Sequence, residues 1–350
     1  MNISLKDINS PKDLKALNVN DLPSIAAQVR ERIIEVTAKT GGHIAASLGA
    51  VEIAVALHYV LDTPEDKLLW DVGHQAYAHK ILTGRYKSFE TLRQLGGISG
   101  FPNKDESTYY VFTIGHSSTS ISQALGLACA RDIQGQSHNI VAVIGDAALA
   151  GGMALEALNN AGHMRKNLAI ILNDNDLSIT KSVGAIKRYL NKIMTNPVYN
   201  KVREDLSRLI KRIPVFGFRA FRAARKLEEG IKSLLIPGVL FEELGVRYFG
   251  PIDGHDINML VNTLSKVIKI NEPKLIHVIT KKGKGYKYAE ESPTVFHGAG
   301  PFDIETGNHN GKHSESYSDV MGKKITELAR TNDKIAVVSA AMVGGTGLEE

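Results

Sequence analysis

The chain has 350 residues, 43% hydrophobic and 23% charged, with a formal net charge of +5. This is the composition of a globular protein able to bury a core, and the length suggests about two domains. It excludes a membrane-spanning helix, since no apolar run approaches the ~18 residues required, and a disulfide framework, since Cys129 stands alone.

Met1 to Leu22 carries Asp7, Asp13 and Asp21 and no apolar core of the signal-peptide kind, so a cytoplasmic location is expected. Leu22 to Ala38 has Ile25, Val29, Ile33 and Val36 at helical spacing and reads as an amphipathic helix that Gly41-Gly42 ends. Leu48 to Leu61 reads as a largely buried helix. Lys67 to Val72 reads as a short strand stopping at Gly73-His74. Ser117 to Arg131 reads as a helix rich in small residues. Ile140 to Ile144 and Leu168 to Leu172 read as strands flanking a helix from Gly152 to Ala161. That spacing is one βαβ unit.

Between Lys181 and Pro237 there are 14 Lys or Arg against four Asp or Glu. A surface for nucleic acid or an anionic membrane is one reading of such a run. No nucleic-acid motif accompanies it, so we read a solvated helical excursion near a site for anionic ligands. Strands return at Val246 to Phe249 and Lys274 to Thr280, around a helix from Ile257 to Ile268. Strands alternating with helices imply an α/β fold: a doubly wound, mainly parallel sheet with helices on both faces. Residues 1–297 are expected to form this domain, with the basic excursion at 181–237 inside it. Residues 298–315 read as a linker. Residues 316–350, a helix from Ser316 to Arg330 and a strand from Ile335 to Val338, read as the opening of a second α/β domain.

The chemistry concentrates at strand ends. Gly145-Asp146-Ala147 closes one strand of the βαβ unit, and Asn173-Asp174-Asn175 closes the next, 29 residues after Asp146. Parallel strands put both ends on the ligand-binding edge. Two hard oxygen donors there suit Mg²⁺, which takes its other ligands from water and phosphate. Gly151-Gly152 opens the intervening helix, whose free N–H groups favour an anion. The alternative is that Asp and Asn simply end strands in turns.

His43, His74 and His116 each follow a glycine at an element boundary. Clustered imidazoles shuttle protons near neutral pH or hold phosphate and carboxylate groups; a structural role is the alternative, and no Cys/His spacing supports zinc. Gly115-His116-Ser117-Ser118-Thr119-Ser120 opens a helix, with hydroxyls that cap it or face a cofactor. Lys281-Lys282-Gly283-Lys284-Gly285-Tyr286 is a basic glycine loop suited to phosphate or an aromatic ring, and His297 follows it.

Five stretches then carry a resemblance. Gly41-Gly42-His43-Ile44-Ala45-Ala46-Ser47-Leu48-Gly49, Trp70-Asp71-Val72-Gly73-His74-Gln75-Ala76-Tyr77, Gly115 to Ser120, Tyr248-Phe249-Gly250-Pro251-Ile252-Asp253-Gly254-His255-Asp256 and Phe296-His297 resemble the 1-deoxy-D-xylulose-5-phosphate synthases. These are transketolase-like enzymes with the thiamine-diphosphate-binding fold. The resemblance implies condensation of pyruvate with D-glyceraldehyde 3-phosphate with loss of carbon dioxide, making a precursor for isoprenoids, thiamine and pyridoxal. Thiamine diphosphate would supply the carbanion chemistry.

By the same resemblance, Asp146, Asn175 and the Leu177 carbonyl ligate Mg²⁺. Ala147 and Ala148 offer N–H groups to the diphosphate. His74, Gly115, His116, Ser117, Asn175 and Tyr286 line the cofactor, and His43, His74 and His297 handle substrate and protons. A homodimer is implied; nucleic acid and membrane are not expected partners.

Two departures stand out. The family has Gly-Asp-Gly where this chain has Ala147; were φ > 0 needed there, Ala would cost of order 1 kcal/mol, and weakened cofactor binding is expected. The resemblance also covers only about the first half of the family's length. The glutamate that protonates the aminopyrimidine and the arginines for the aldehyde phosphate fall in the other half. This chain alone is therefore expected to be inactive: a cofactor-binding fragment, or one subunit of a split enzyme completed by a separate C-terminal half.

Overall fold

The computed structural model describes residues 4–175, 185–186, 188–190, 238–309, 315–339 and 343–350. Most of the basic excursion at 181–237, and Leu177, lie outside the described residues. The longer elements are α1 (Leu22–Thr40), α2 (Ile44–Gly49), α3 (Val51–Val60), β1 (Lys67–Trp70), α4 (Ser120–Ile133), β2 (Ile140–Gly145), α5 (Gly152–Met164), β3 (Ala169–Asp174), β4 (Arg247–Asp253), α6 (Ile257–Val267), β5 (Lys274–Ile279) and α7 (Tyr317–Thr331).

Strands β2, β3 and β5 are rich in Ile, Val, Leu and Ala and buried nearly end to end, with Asn173 and Asp174 closing β3 and Lys274 and His277 the polar members of β5. A strand with that pattern needs cover on both faces, which parallel crossovers provide. The sheet has the order β1-β2-β3-β5-β4, every pair parallel. Alternate side chains go to opposite cores, as a period of two requires. Val141, Val143, Ile171, Ile276 and Val278 join α1, α3 and α6 on one face. Ala142, Ile144, Ile170, Leu172 and Leu275 join Ile121, Ala124 and Leu125 of α4 and Leu158 and Ala161 of α5 on the other. The doubly wound parallel sheet expected from the sequence is the observed architecture.

Three details differ from expectation. The helix read over Leu48 to Leu61 is two helices, α2 and α3, joined at Ala50 (φ −108°, ψ 7°), so the chain turns between them. Residues 335–338 form no strand; Val338 is fully exposed, and an apolar segment without a partner among the described residues gains nothing by extending. The first part of the segment read as a linker is laid against the sheet domain: Ala299 bridges Gly42, and Phe302 is buried against Phe296 and Tyr286.

Candidate active site

Because every strand runs the same way, the carboxyl ends of β1, β2, β3 and β5 share one edge. Asp71, Asp146, Asn175 and Thr280 to Lys282 follow them in that spatial order. Asp146 is 6% exposed and opens a single helical turn, Asp146–Leu149. Ala147 lies within that turn and is absent from the positive-φ residues, so the conformational penalty expected of alanine there does not arise.

Lys282 faces the same edge and is 4% exposed. Burial pushes its ammonium down to about 8, and the Asp146 charge opposes the fall. Among the described residues no group of three His, Cys, Asp or Glu side chains is placed to hold a metal. A metal at Asp146 and Asn175 would therefore draw most of its ligands from solvent and phosphate, as Mg²⁺ does.

Polar side chains fix this edge. The Asn173 amide donates to Gln75 Oε1 (3.0 Å) and accepts from the Thr280 hydroxyl (2.6 Å), tying three strand ends together. The next residue, Asp174, pairs with His277 Nε2 at 3.1 Å, and His277 Nδ1 meets the Tyr248 hydroxyl at 2.8 Å. Asp174 and His277 are fully buried, so the turn carrying Asn175 rests on a rigid base.

His43, His74 and His297 come together although residues 43 and 297 lie far apart in the chain. Their ring centroids are 5.6–6.1 Å apart, and Phe101 packs 5.1 Å from His43. The backbone that delivers them is unusual. Gly42 (φ 138°) and Gly73 (φ 92°) precede His43 and His74, and a Cβ would meet the Tyr77 hydroxyl at 2.5 Å or Pro102 Cδ at 2.2 Å. Val72 takes φ 60°, a strained setting for a β-branched residue. The His43 N–H donates to the Tyr77 hydroxyl (3.1 Å), and the Ser47 hydroxyl donates to the His74 carbonyl (2.9 Å).

The Nδ1 atoms of all three histidines are buried with no hydrogen-bond partner. Such atoms call for a ligand or water. Burial, reinforced by Arg93 and Lys282, lowers His43 to about 4; burial, with Lys282 and His43, lowers His297 to about 3; burial takes His74 well below its usual value. The rings are neutral at pH 7. Below pH 6.5 the unfolded chain takes up protons that these rings refuse, so stability is expected to fall from pH 6.5 to about 4 for His43, and on to about 3 for His297. The slope is at most about 1.4 kcal/mol per pH unit per group. Urea denaturation at pH 7 and pH 4.5 checks this, and His297→Asn should flatten the fall.

The fourth histidine does not join them. His116 is exposed, with Nδ1–H donating to the Ser117 carbonyl at 2.7 Å, and Gly115 and Ser117 are exposed beside it. Tyr286 is buried among Phe296, Phe302 and Tyr288, and its hydroxyl donates to the Ile304 carbonyl at 3.0 Å.

The sequence placed Lys282 in a basic loop suited to phosphate without distinguishing it from Lys281 and Lys284, and it did not mark Asp71 as a site residue. Asp71 accepts the Ser118 N–H at 2.8 Å and the Ser120 N–H at 3.0 Å. Its signal is position: an acid at the end of a strand, two residues before Gly73-His74. The signal for Lys282 is a lysine flanked by glycine where an apolar strand ends.

A family model described as 1-deoxy-D-xylulose-5-phosphate synthase matches residues 5–280. The 1-deoxy-D-xylulose-5-phosphate synthase of Caldanaerobacter subterraneus subsp. tengcongensis is 52% identical over 344 residues, covering 98% of this chain and 55% of that protein. That of Syntrophomonas wolfei subsp. wolfei is 51% identical over 346 residues, covering 99% and 54%. The chain thus spans about half the length of the curated relatives it matches. Among solved structures, a transketolase from Campylobacter jejuni superposes with a TM-score of 0.60 at 21% identity, covering 95% of this chain and 47% of that one. A transketolase from Leishmania mexicana gives 0.57 at 18%, covering 85% and 43%. At such identities these structures show the fold.

Proposed function

The chain belongs to the 1-deoxy-D-xylulose-5-phosphate synthase family, and we propose that its sheet edge holds the metal–diphosphate end of thiamine diphosphate for the condensation of pyruvate with D-glyceraldehyde 3-phosphate. The observation that carries this reading is a buried acid, Asp146, just past the end of the strand next to the one that Asn175 follows, with the Lys282 ammonium and three neutral histidines on the same edge. The donor set fits the cofactor: hard oxygens for Mg²⁺, a buried cation for phosphate charge, and unpartnered Nδ1 atoms for polar groups.

In this reading Asp146 and Asn175 hold Mg²⁺, aided by the Leu177 carbonyl. Ala147 and Ala148 offer N–H groups to the diphosphate. His74, Gly115, His116 and Ser117 border the cofactor, and Tyr286 contributes the ring wall behind Phe296. When bound, thiamine diphosphate supplies the carbanion chemistry. His43, His74 and His297, kept neutral by burial, stand ready to take or give a proton on the substrate side. Phe101 shields His43 from water. The reading takes the protein as cytoplasmic, with its lone cysteine, and as a homodimer.

The rest of the synthase machinery is assigned to the half of the family that these residues do not match, so the 350-residue chain alone is expected to bind cofactor without turning over. Titration with thiamine diphosphate, with and without Mg²⁺, tests the first part. Adding a separately expressed second half and assaying 1-deoxy-D-xylulose 5-phosphate tests the second. Mg²⁺-dependent binding followed by rescue supports half of a synthase. Binding without rescue favours a non-catalytic cofactor binder. No Mg²⁺-dependent binding sinks the site.

A further inference from the structure

We infer that Glu52 and His255 are positioning residues that grip the loop 281–286 and thereby set where Lys282 stands. Neither belongs to the strand-end cluster. Glu52 sits on α3, buried, and His255 follows β4. One Glu52 oxygen takes Arg30 Nη2 at 2.5 Å, and the other takes His255 Nδ1 at 3.1 Å. Arg30 Nε in turn donates to the Lys284 carbonyl (2.7 Å), and the Lys281 N–H donates to His255 Nε2 (2.8 Å). One carboxylate thus holds two side chains, each of which holds one end of the basic loop.

The protonation states follow from the donors. A ring nitrogen that accepts a backbone N–H carries no proton, so the His255 proton is on Nδ1, directed at Glu52. Burial raises the Glu52 carboxyl, but the His255 hydrogen bond and the Arg30 charge bring it below its usual value, so it is ionised. Arg30 and Glu52 cancel, and the clamp adds no net charge near Lys282. Between its ends the loop is fastened by Gly283 N–H to the Ala45 carbonyl and Gly285 N–H to Glu290, both 2.8 Å. Ala45 belongs to the helix that follows His43, so the loop is indexed to the histidine cluster as well. The functional weight of this placement rests on the reading that the edge takes an anionic cofactor; the clamp itself does not.

The test uses His255→Leu and His255→Gln in the whole chain. Gln offers a carbonyl to the Lys281 N–H and an amide to Glu52, whereas Leu offers neither. In His255→Leu, hydrogen exchange at the Lys281 amide should rise on the order of tenfold, the effect of losing the one hydrogen bond that holds it. Lys282, now 4% exposed, should be acylated faster at fixed pH, and affinity for thiamine diphosphate with Mg²⁺ should fall. His255→Gln should restore all three. Unchanged Lys281 exchange and Lys282 acylation in His255→Leu overturn the proposal, as does failure of Gln to restore them. Should His255→Leu not fold, His255→Asn, too short to reach the loop, must show the same changes, and their absence overturns it equally. A parent chain that binds no thiamine diphosphate, while the Lys281 and Lys282 changes occur, sinks the cofactor reading and upholds the clamp.

Discussion

Asp71→Ala is expected to cost about 2–6 kcal/mol of stability, since each of two buried N–H groups left without an acceptor costs roughly 1–3 kcal/mol. Asp71 is 3% exposed, and its two oxygens take the amides of Ser118 and Ser120, where α4 begins. The Ser120 amide is one of the N–H groups that a helix cannot satisfy internally, the Ser118 amide belongs to the turn that leads into it, and a carboxylate also opposes the positive end of the helix. Its own N–H is tied to the Val143 carbonyl of β2 at 2.8 Å, so it cannot follow the loop if the loop moves. The Ser118 backbone has φ 68°, and its hydroxyl donates to the Ala148 carbonyl at 2.8 Å, so freeing Ser118 loosens the turn after Asp146 too. Asp71→Asn, which keeps one acceptor oxygen but turns an NH₂ toward the other amide, should fall in between. Urea denaturation measures the loss; a change below about 1 kcal/mol would show that the two amides find other partners.

Asp146→Ala should abolish Mg²⁺-dependent binding of thiamine diphosphate. Removing even a group that only orients a metal ligand typically costs 10–100-fold, and a ligand should cost more. The same substitution makes a second, opposite-signed prediction for the apo chain. The Asp146 charge opposes the burial that depresses Lys282, so without it Lys282 should titrate below its present value of about 8. Asn175→Ala should weaken metal-dependent binding while removing no charge from beside Lys282. Calorimetry with and without Mg²⁺, together with amine titration of Lys282, separates the two. Binding that survives Asp146→Ala would falsify the metal assignment.

The sheet was legible because β2, β3 and β5 are predominantly apolar on both alternating sets of positions, the composition of strands covered on both faces. The adjacency of the Asp146 and Asn175 strands followed from a single βαβ step, which is local. The glycine–histidine pairs were a partial guide. They marked His43 and His74, which meet, and His116, which is exposed and joins neither ring. Glycine before histidine signals a tight turn without telling which way the ring projects. Asp71 and Gln75 were not singled out because their partners lie far off in sequence, Ser118 and Asn173 among them, and no periodicity encodes such pairings. The apolar run at 335–338 had the pattern of a strand, but pattern alone supplies no neighbour to pair with.

The strand order also sets a timetable for synthesis. β5 lies between β3 and β4 although it is made after both, so until residues 274–279 leave the ribosome each of those strands keeps an unpaired edge. Asp146 and Asn175 are made 135 and 106 residues before Lys281, the start of the loop that completes their surroundings. A nascent chain in that interval carries the acidic half of the site without its cation and unpaired edges on both β3 and β4, the kind that recruit other chains. The last strand inserted both closes the sheet and delivers Lys282, so completion of the edge proposed to take an anion is coupled to the end of the interval in which the growing chain is most open to aggregation.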